Sequence, residues 1–516
     1  MDTVDLLVVG GGTAGLIAAR TAAGLGARVM QVERDRLGGD CLWTGCVPSK
    51  SLLAAAHAAA HARAAAELGV HIDGVRVDFA AVMDRVHQVM AAIEPDDDAA
   101  TQRSHGIDVR FGTFAFTPAA NADLAFVDGT GLALDTEPLS ARQVLLATGS
   151  APAVPAIPGL AESGYLTSDS VWELRELPRR LVVLGGGSIG CELGQAFARL
   201  GSTVHLVESL DRILAREDSA ASELVARALR ADGMAIHVGS PVVAVHGERP
   251  GNGVQPGNGE RDGASRGGEV ELADSSRLAY DVLLVAVGRR PRTSGLGLEH
   301  TSATLDQRGY LHVDKHLRST DRRIWGAGDL TGRHQFTHTA GVDGSLAATN
   351  AVLGISRAVN TTAMPRVTFT DPEVAAVGVP TEGAAHLLEH SHAHIDRAIA
   401  DARTRGFTRI ATNRRGTILG ATIVGPRAGE TLAELTLAIS QGLRTRHIAA
   451  ATHPYPTYGD APWLASVADT RHRLAGGAIR RLTNTLLTVK RRRGEAAAWL
   501  SRRRGEAAAR LSRRRG

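Results

Sequence analysis

The chain opens with a pattern of hydrophobic and polar positions that predicts a strand, a glycine-rich turn and a helix. Residues 6–9 form an uninterrupted apolar run, which is typical of a strand buried on both faces of a parallel sheet. Gly10, Gly12 and Gly15 follow, then an alanine-rich stretch and a second apolar run that ends at Glu33. In such a βαβ fingerprint the glycines let the backbone approach a pyrophosphate, and the terminal acid accepts from a ribose hydroxyl. These four residues are therefore predicted to bind a dinucleotide.

The same pattern occurs a second time in the middle of the chain. An apolar run at 181–184 leads into Gly185, Gly187 and Gly190, and the strand predicted after the next helix ends at Glu208. The last glycine and the acid are 18 positions apart in both copies, so two dinucleotide sites are expected. A carboxylate at Glu208 favours NADH, because it would repel the 2′-phosphate of NADPH. NADPH remains the alternative cofactor.

Three further apolar runs end in turns that contain glycine, and they complete the predicted organisation. The turns are at Thr148 and Gly149, at Gly288, and at Gly328 and Asp329. We predict an α/β fold with two Rossmann-like dinucleotide-binding domains and an α+β domain at the C-terminus. The predicted divisions are 1–150 and 281–349 for the two parts of the first dinucleotide domain, 151–280 for the second dinucleotide domain, 350–470 for the C-terminal domain, 471–516 for a tail, and 247–268 for a hairpin insertion without an assigned function.

Composition indicates a globular protein of a reducing compartment. The 516 residues are 44% hydrophobic and include only three cysteines, too few for a disulfide framework. The N-terminus lacks the basic segment and apolar core of a signal peptide, and no run approaches the ~20 apolar residues of a membrane span. We therefore expect a cytoplasmic protein whose cysteine pair is catalytic or metal-binding.

Charge is distributed unevenly along the chain. The net charge is +4, but residues 471–516 carry 15 Lys and Arg against two acids, so the remainder is acidic. Within this tail an 11-residue block at 491–501 recurs at 502–512. We expect a partly helical extension that Gly494 and Gly505 interrupt. It either stays solvated or makes an electrostatic contact with anionic lipid or nucleic acid.

Two of the three cysteines, Cys41 and Cys46, lie five positions apart soon after the first glycine turn. In an ideal helix their Cα atoms would be roughly 8.6 Å apart, beyond the ~7 Å reach of a disulfide. A bond between them needs a distorted helix start, for which Gly45 supplies backbone freedom. Near a helix start both thiols are expected to have lowered pKa values. The sequence offers no second Cys-x-x-Cys and no clustered histidines, so we predict no metal site and favour a thiol pair that exchanges electrons with a nucleotide cofactor.

A family resemblance rests on residues 38–50 and on the two fingerprints around them. The order Gly-Gly-x-Cys-x-x-x-Gly-Cys-x-Pro-Ser-Lys resembles the class I flavin-dependent pyridine nucleotide–disulfide oxidoreductases, which include lipoamide dehydrogenase, glutathione reductase and mercuric reductase. The resemblance implies FAD at the first fingerprint and NAD(P)H at the second. It also implies a homodimer in which the C-terminal domain forms the interface.

The resemblance implies roles for individual residues as well. Cys46 would lie against the flavin as the charge-transfer thiol, and Cys41 would be the interchange thiol that faces the substrate. Lys50 would stand near flavin N5 with Glu192 as its partner, because a buried cation needs a paired acid. The positions assigned to FAD are Gly10, Gly12, Gly15, Glu33, Lys50, Thr148, Gly149, Gly328 and Asp329, and those assigned to NAD(P)H are Gly185, Gly187, Gly190, Glu208 and Gly288.

The C-terminal motif departs from that of lipoamide dehydrogenase and glutathione reductase. Those enzymes end in His-Pro-x-x-x-Glu, whose His–Glu pair serves acid–base chemistry, whereas here Tyr455 stands at the base position and Asp460 at the acid position. Tyrosine titrates near ~10 and is a poor base at neutral pH, and the sequence leaves open whether the nearby His453 takes part. By resemblance, Tyr455 and Asp460 would face Cys41 of the other subunit.

Tyrosine at this position resembles the mercuric reductase branch, where it faces a substrate metal ion. That branch also has a C-terminal cysteine pair, which this chain lacks because it has no cysteine after Cys191, itself expected to serve packing. The sequence thus predicts electron flow from NAD(P)H through FAD and the Cys41–Cys46 pair to a small disulfide, a metal ion or another acceptor. The alternatives are an enzyme of the dihydrolipoyl dehydrogenase type, or a quinone or diaphorase reductase with a docking tail.

Overall fold

The computed structural model describes residues 3–118, 124–127, 140–247 and 267–512, in an alternation of strands and helices. The helices are α1 (Thr13–Gly24), α2 (Gly39–Trp43), α3 (Cys46–Ala64), α4 (Phe79–Asp97), α5 (Ala99–Ser104), α6 (Ser188–Leu200), α7 (Ser219–Ala231), α8 (Thr337–Leu353), α9 (Asp396–Ala400), α10 (Ala428–Ser440), α11 (Thr445–Ala450), α12 (Asp460–Leu474) and α13 (Gly477–Ser512). The strands are β1 (Val4–Val9), β2 (Val29–Glu33), β3 (Asp108–Phe111), β4 (Thr113–Phe116), β5 (Leu124–Val127), β6 (Ala141–Leu146), β7 (Ser150–Pro152), β8 (Leu166–Thr167), β9 (Arg180–Leu184), β10 (Thr203–Val207), β11 (Ala235–His237), β12 (Val242–Gly247), β13 (Gly268–Leu272), β14 (Arg277–Tyr280), β15 (Val282–Val285), β16 (Arg289–Pro291), β17 (Ile324–Gly326), β18 (Arg366–Thr368), β19 (Glu373–Gly378), β20 (Leu387–Ser391), β21 (Phe407–Thr412) and β22 (Ile418–Gly425).

A parallel sheet in the order β17-β6-β1-β2-β3 forms the first nucleotide unit. Its central strand β1 is buried on both faces: Leu6 and Val8 pack with alanines of α1 and α8, while Leu7 and Val9 pack with Phe114 on the other face. This double burial explains why the strand is an unbroken apolar run rather than an alternating one. The fold is the predicted α/β arrangement with a Rossmann-like sheet.

The second nucleotide unit repeats the design with the strand order β11-β10-β9-β15-β8, again parallel. Because β15 pairs with β9 in this sheet, the second unit continues past residue 280, where the sequence divided the chain. Strands β12 and β13 are antiparallel neighbours, as expected on either side of an insertion. Most of the insertion predicted at 247–268 lies outside the described residues.

The C-terminal unit mixes an antiparallel sheet with helices. Its strand order is β18-β19-β22-β21-β20, and α10 and α12 contribute to the core below this sheet. Helix α8, which packs on α1 in the first unit, runs to Leu353 and so crosses the predicted division at 349/350. Within the described residues no helix is both long and apolar enough to cross a membrane.

The tail differs from its predicted form. Helix α13 is continuous over 36 residues and includes Gly494 and Gly505, which were expected to interrupt it. The predicted interruption was wrong because the repeat is otherwise built mainly from alanine, leucine, glutamate and arginine. These are strong helix formers, and an internal glycine costs only about 1 kcal/mol relative to alanine.

Candidate functional site

The two glycine turns have the same geometry. Gly10 and Gly185 have φ angles of 113° and 108°, in the region that favours glycine. A Cβ on Gly15 would lie 2.0 Å from the carbonyl oxygen of Gly10, and one on Gly190 would lie 1.9 Å from that of Gly185. Only glycine at these positions lets each helix start so close to the strand before it. The amides of the first helical turn are thereby brought to the carboxyl edge of each sheet, where a helix N-terminus stabilises a pyrophosphate.

In each nucleotide unit, the acid at the end of the strand that follows the helix accepts a hydrogen bond from the glycine turn. Glu33 accepts from the Gly11 amide at 2.6 Å, and Glu208 accepts from the Gly186 amide at 2.7 Å. The second oxygen of each carboxylate accepts a backbone amide two residues further on, at 2.9 Å in both cases. Both carboxylates are therefore held at the strand end, where a ribose hydroxyl would be recognised.

The glycines at the sheet edges leave room for a ligand. No atom lies within 4 Å of the place where a Cβ would stand on Gly149, Gly187 or Gly288. Gly12 and Gly187 precede α1 and α6, and neither helix has a side-chain cap at its N-terminus. These open backbones and uncapped helix starts fit two dinucleotides. Thr148, by contrast, donates its hydroxyl to the protein, to the carbonyl oxygen of Arg292 at 2.7 Å.

An ion-paired cluster links Asp329 to the segment that carries the cysteines. Ser150 donates to Asp329 at 2.6 Å, and the guanidinium of Arg289 lies 3.6 Å from the same carboxylate. Arg289 also pairs with Asp40, the residue directly before Cys41. Burial raises the pKa of Asp329, against the hydrogen bond from Ser150. Gly328, with a φ of 78°, turns the chain into this position.

The cysteine pair bridges a break between two helices. Cys41 lies in α2, which ends at Trp43, and Cys46 is the first residue of α3. The sequence predicted a distorted first turn of one helix, whereas the chain ends one helix and begins another. Gly45 makes the break, since a Cβ there would lie 2.7 Å from the carbonyl oxygen of Asp40. The break lets two cysteines five positions apart face each other.

The two thiols differ in acidity. A hydrogen bond from Cys41 lowers the pKa of Cys46 to about 6, with help from the Thr337 hydroxyl and the Lys50 ammonium and against burial. The same hydrogen bond, together with burial, raises the pKa of Cys41. The Thr337 hydroxyl lies 3.2 Å from the Cys46 sulfur. The expectation that both thiols would be acidified is wrong, because one proton shared between two neighbouring sulfurs stabilises only one thiolate.

A lysine–carboxylate pair stands one helical turn beyond Cys46. The Lys50 ammonium lies 2.9 Å from Glu192 of α6, whose side chain is only 8% exposed. The second oxygen of Glu192 accepts the Phe369 amide at 2.9 Å, and the Lys50 nitrogen lies 4.2 Å from the centroid of the Phe369 ring. Both partners of the ion pair are thus fixed by a third segment. The neighbouring Cys191 is fully buried and its thiol pKa is raised by burial, so it is a packing residue in this arrangement.

The C-terminal site residues lie in a different environment. Tyr455 is 71% exposed and donates its hydroxyl to Asp396, a contact that raises the tyrosine pKa. Asp460 is buried at the start of α12 and accepts a backbone amide three residues before it. His453 lies 3.0 Å from Glu434 rather than beside Asp460. Within the described part of a single chain, no hydrogen bond joins Tyr455 or Asp460 to the cysteine pair.

Sequence analysis missed several residues of this site. Thr337 and Phe369 come from segments far along the chain, and no local motif marks them. Arg289 was visible in a Gly-Arg-Arg-Pro turn, but its link to Asp40 was not. Trp172, whose indole donates to the Thr44 carbonyl at 3.0 Å between the cysteines, carried no signal at all. Among the residues that the structure describes, no group of three or more His, Cys, Asp or Glu side chains is placed to hold a metal ion.

Comparisons with protein families match nearly the whole chain. The family described as pyridine nucleotide-disulphide oxidoreductase matches residues 4–344. The dimerisation domain of the same family matches residues 364–466. Both regions that the sequence assigned to nucleotide binding, and the C-terminal unit, are therefore covered.

The relatives of this chain differ from one another in the activity that their names state. A mercuric reductase from Streptomyces lividans is 36% identical over 473 residues, which cover 90% of this chain and 95% of the relative. A dihydrolipoyl dehydrogenase from Chlamydia pneumoniae is 32% identical over 478 residues, covering 91% and 98%. Among solved structures, the Cu(II) complex of the HOCl-induced flavoprotein disulfide reductase RclA from Escherichia coli has a TM-score of 0.76 at 25% identity, covering 91% and 100%.

Proposed function

This chain belongs to the pyridine nucleotide-disulphide oxidoreductase family, and we propose that it passes electrons from NADH through FAD and the Cys41–Cys46 pair to a thiophilic metal ion. Members of the family use FAD and NAD(P)H. One observation carries the proposal: Cys46, the more acidic thiol of the pair, lies one helical turn before Lys50, which the buried Glu192 carboxylate holds.

The residues that would hold FAD come from all parts of the first nucleotide unit. The uncapped start of α1 would meet the pyrophosphate, Glu33 a ribose hydroxyl and Asp329 the ribityl chain, while Lys50 would stand at the reactive edge of the flavin. Bound FAD supplies the two-electron chemistry that joins nicotinamide oxidation to disulfide reduction. The Lys50 cation, oriented by Glu192, stabilises negative charge that develops beside it during reduction.

The thiol pair accounts for both electrons and for the proton. A hydride from NADH carries two electrons and one proton, and the Cys41–Cys46 disulfide takes up both electrons as its S–S bond breaks. The proton stays on Cys41, whose pKa is raised, and Cys46 is left as a thiolate, because its pKa is about 6. No further proton is needed at neutral pH. The reduced pair then presents one thiolate and one thiol to an acceptor.

The nicotinamide cofactor is proposed to be NADH. The Glu208 carboxylate is fixed by amide contacts at the position where a 2′-phosphate would lie. Arg212, the nearest candidate for a phosphate partner, instead donates to backbone carbonyl oxygens of its own loop, at Ala215 and Glu217. Its guanidinium is therefore engaged in holding the loop, and the negative charge of Glu208 is left to select against NADPH.

The proposed acceptor, a metal ion, follows from Tyr455, which stands where relatives such as lipoamide dehydrogenase have the histidine of a His–Glu acid–base pair. Tyr455 donates to Asp396 and its pKa is raised, so it does not serve as a base at neutral pH. A metal ion needs no base, and thiolates are the soft ligands that thiophilic ions prefer. The names of two relatives support this choice, a mercuric reductase and a reductase solved with Cu(II). One Hg(II) would take both electrons, and two Cu(II) would take one each.

A second candidate is favoured by the contact between His453 and Glu434. His453 is two residues before Tyr455 in the sequence, and its side chain is only 12% exposed. If it reached the partner's thiols it would supply the acid–base group that a dithiol substrate needs, as in a dihydrolipoyl dehydrogenase. A small disulfide or dihydrolipoamide is therefore the alternative substrate, and a quinone that draws electrons directly from the flavin is the third.

One screen separates these candidates. Purified protein would be supplied with NADH and either Hg(II), Cu(II), a small disulfide or a quinone, and separately with dihydrolipoamide and NAD. The proposal expects the highest turnover with a metal ion and its loss in Cys41→Ser, while Cys191→Ala, which alters the buried third cysteine, keeps it. Metal reduction that survives Cys41→Ser overturns the thiol route, and fast turnover of dihydrolipoamide favours the second candidate.

The family's dimerisation domain at 364–466 supports a homodimer. Tyr455 and Asp460 lie within it, and we propose that they meet the cysteine pair across the subunit interface. We also propose that the protein acts in the cytoplasm, because three cysteines in 516 residues are too few for the disulfide framework of a protein from an oxidising compartment.

A further inference from the structure

Helix α13 is a large surface that the redox chemistry does not use. It begins at Gly477, beyond residue 466 where the dimerisation-domain match ends. Its described side chains are exposed along its whole length. Most helices are stabilised by burying one face, so a helix of 36 residues that buries none is expected to meet a partner.

Apolar side chains form a stripe along α13. At 100° per residue, Leu482, Leu486, Val489 and Leu500 project within about 60° of one another. Between 45% and 61% of each of these side chains is exposed. Trp499 projects about 100° from Leu500, beside the stripe rather than within it, and is 52% exposed. Two arginines, Arg493 and Arg504, project into the same sector. The apolar side chains of the stripe are otherwise left uncovered by the described part of the chain.

Positive charge occupies most of the remaining surface of the helix. Between 477 and 512 the sequence has ten Lys and Arg residues and two acids. The 11-residue repeat places Arg480, Arg491 and Arg502 within about 40° of one another on the side opposite Val489. Arginines that fall nearer the stripe have long apolar stems, which can lie along an apolar surface while the guanidinium reaches water.

We propose that α13 docks this protein on an anionic lipid surface, with the stripe buried at the level of the headgroups and the arginines paired with lipid phosphates. A basic helix with leucines along one face and a tryptophan beside them is a form that lies in a membrane interface. The charge of α13 complements anionic headgroups and opposes pairing with a second copy of the same helix. Nucleic acid would satisfy the arginines but would leave Leu482, Leu486 and Leu500 in water.

The test uses the full-length protein and vesicles of two compositions, one of phosphatidylcholine alone and one of equal parts phosphatidylcholine and phosphatidylglycerol. Sedimentation should give at least about tenfold stronger partition to the anionic vesicles. Removal of residues 477–516 should abolish it. Trp499 should become less exposed to water on binding, which a blue shift of tryptophan emission reports when the spectrum of Trp499→Phe is subtracted.

Two adjacent leucines provide a matched pair of variants. Leu486 lies in the stripe and Leu487 lies on the other side of the helix, yet both are exposed. Leu486→Gln should weaken vesicle binding at least about fivefold, and Leu487→Gln should leave it nearly unchanged. Equal effects of the two changes, equal partition to both vesicles, or undiminished binding after truncation would each overturn the proposal. Binding to a DNA duplex that Leu486→Gln does not weaken, without binding to vesicles, would assign the helix to nucleic acid instead.

Discussion

The two ends of the proposed electron path differ in how firmly one chain holds them. Lys50 is fixed by Glu192, and both contact Phe369 of the C-terminal unit. Cys46 is likewise held between Cys41 and the Thr337 hydroxyl of α8. The loop between α11 and α12, residues 451–459, is here called the tyrosine loop. It presents Tyr455 to solvent with a single side-chain hydrogen bond. The residues proposed for the flavin side are thus held within one chain, whereas Tyr455, proposed for the acceptor side, is exposed to solvent.

This difference suggests a division of labour. Electron entry demands fixed geometry, because an ammonium a fraction of an ångström out of place stabilises developing charge poorly. The acceptor side must admit and release ligands, and in the proposed dimer a second subunit would complete it. Changes on the flavin side should therefore affect every acceptor, whereas changes in the tyrosine loop should affect only some.

The largest expected effect is that of Cys46→Ser. Without the thiolate the disulfide cannot form, so turnover with metal or disulfide acceptors should fall by more than about a thousandfold. Reduction of the bound flavin by NADH should continue, because the nucleotide turns are untouched. Stopped-flow absorbance measures the first half-reaction and NADH consumption the whole cycle. Acceptor turnover that persists at the native rate would remove the cysteine pair from the path.

Glu192→Gln should come next in size. The change keeps the side-chain shape but removes the charge that orients the Lys50 ammonium, so flavin reduction by NADH should slow by about a hundredfold with every acceptor alike. Glu223→Gln is the control, since Glu223 forms an exposed ion pair with Arg227 on α7 and such pairs contribute little. A loss confined to one acceptor would contradict the proposed division between the two sides.

The sequence predicted the nucleotide turns well because their information is local. A strand, three glycines and a terminal acid determine a turn within about 30 residues, and the same spacing in two copies makes the pattern specific. Lys50 and Glu192 were paired only through the family resemblance. Nothing in the residues around position 50 identifies a partner in α6, because that pair is made by packing of helices far apart in sequence.

Acidity was harder to predict than position. Both thiols lie near helix starts, which suggested that both are acidified, but the hydrogen bond between them decides which sulfur keeps the proton. The role of Thr337 could not be foreseen, since it comes from α8 and meets Cys46 only in the folded chain. Local sequence gives the electrostatics of a helix end, whereas a pKa also depends on every group that folding brings near.

The pH dependence of Cys46 provides a prediction of intermediate size. Its folded-state pKa of about 6 means that the thiolate is present above that pH and lost as the pH falls through it. In the reduced protein, the rate of Cys46 alkylation by iodoacetamide should therefore rise about tenfold between pH 5 and pH 7 and change little above. Thr337→Val, which removes the hydroxyl, should move the midpoint upward.

Mass spectrometry of the modified peptide identifies the cysteine that has reacted. Cys41 should lag behind Cys46 at every pH in this range, because its pKa is raised. A midpoint near the ordinary thiol value of about 8.5, or equal modification of the two cysteines, would mean that the pair does not share its proton as described.

The smallest effect is expected from Tyr455→Phe, and it bears most directly on the open side of the comparison. The change removes only an exposed hydrogen bond to Asp396, so the free energy of unfolding should change little. NADH oxidation with a small disulfide should stay within about twofold, whereas turnover with Hg(II) should fall several-fold if the phenol faces the ion across the dimer.

Tyr458→Phe is a matched control, because that tyrosine also donates to an aspartate, Asp401, but is buried. Since burial makes a lost partner costly, Tyr458→Phe should lower the stability more and should not distinguish the acceptors. If Tyr455→Phe instead slowed all acceptors equally, the tyrosine loop would belong to the rigid part of the path, and the acceptor would have to be recognised elsewhere.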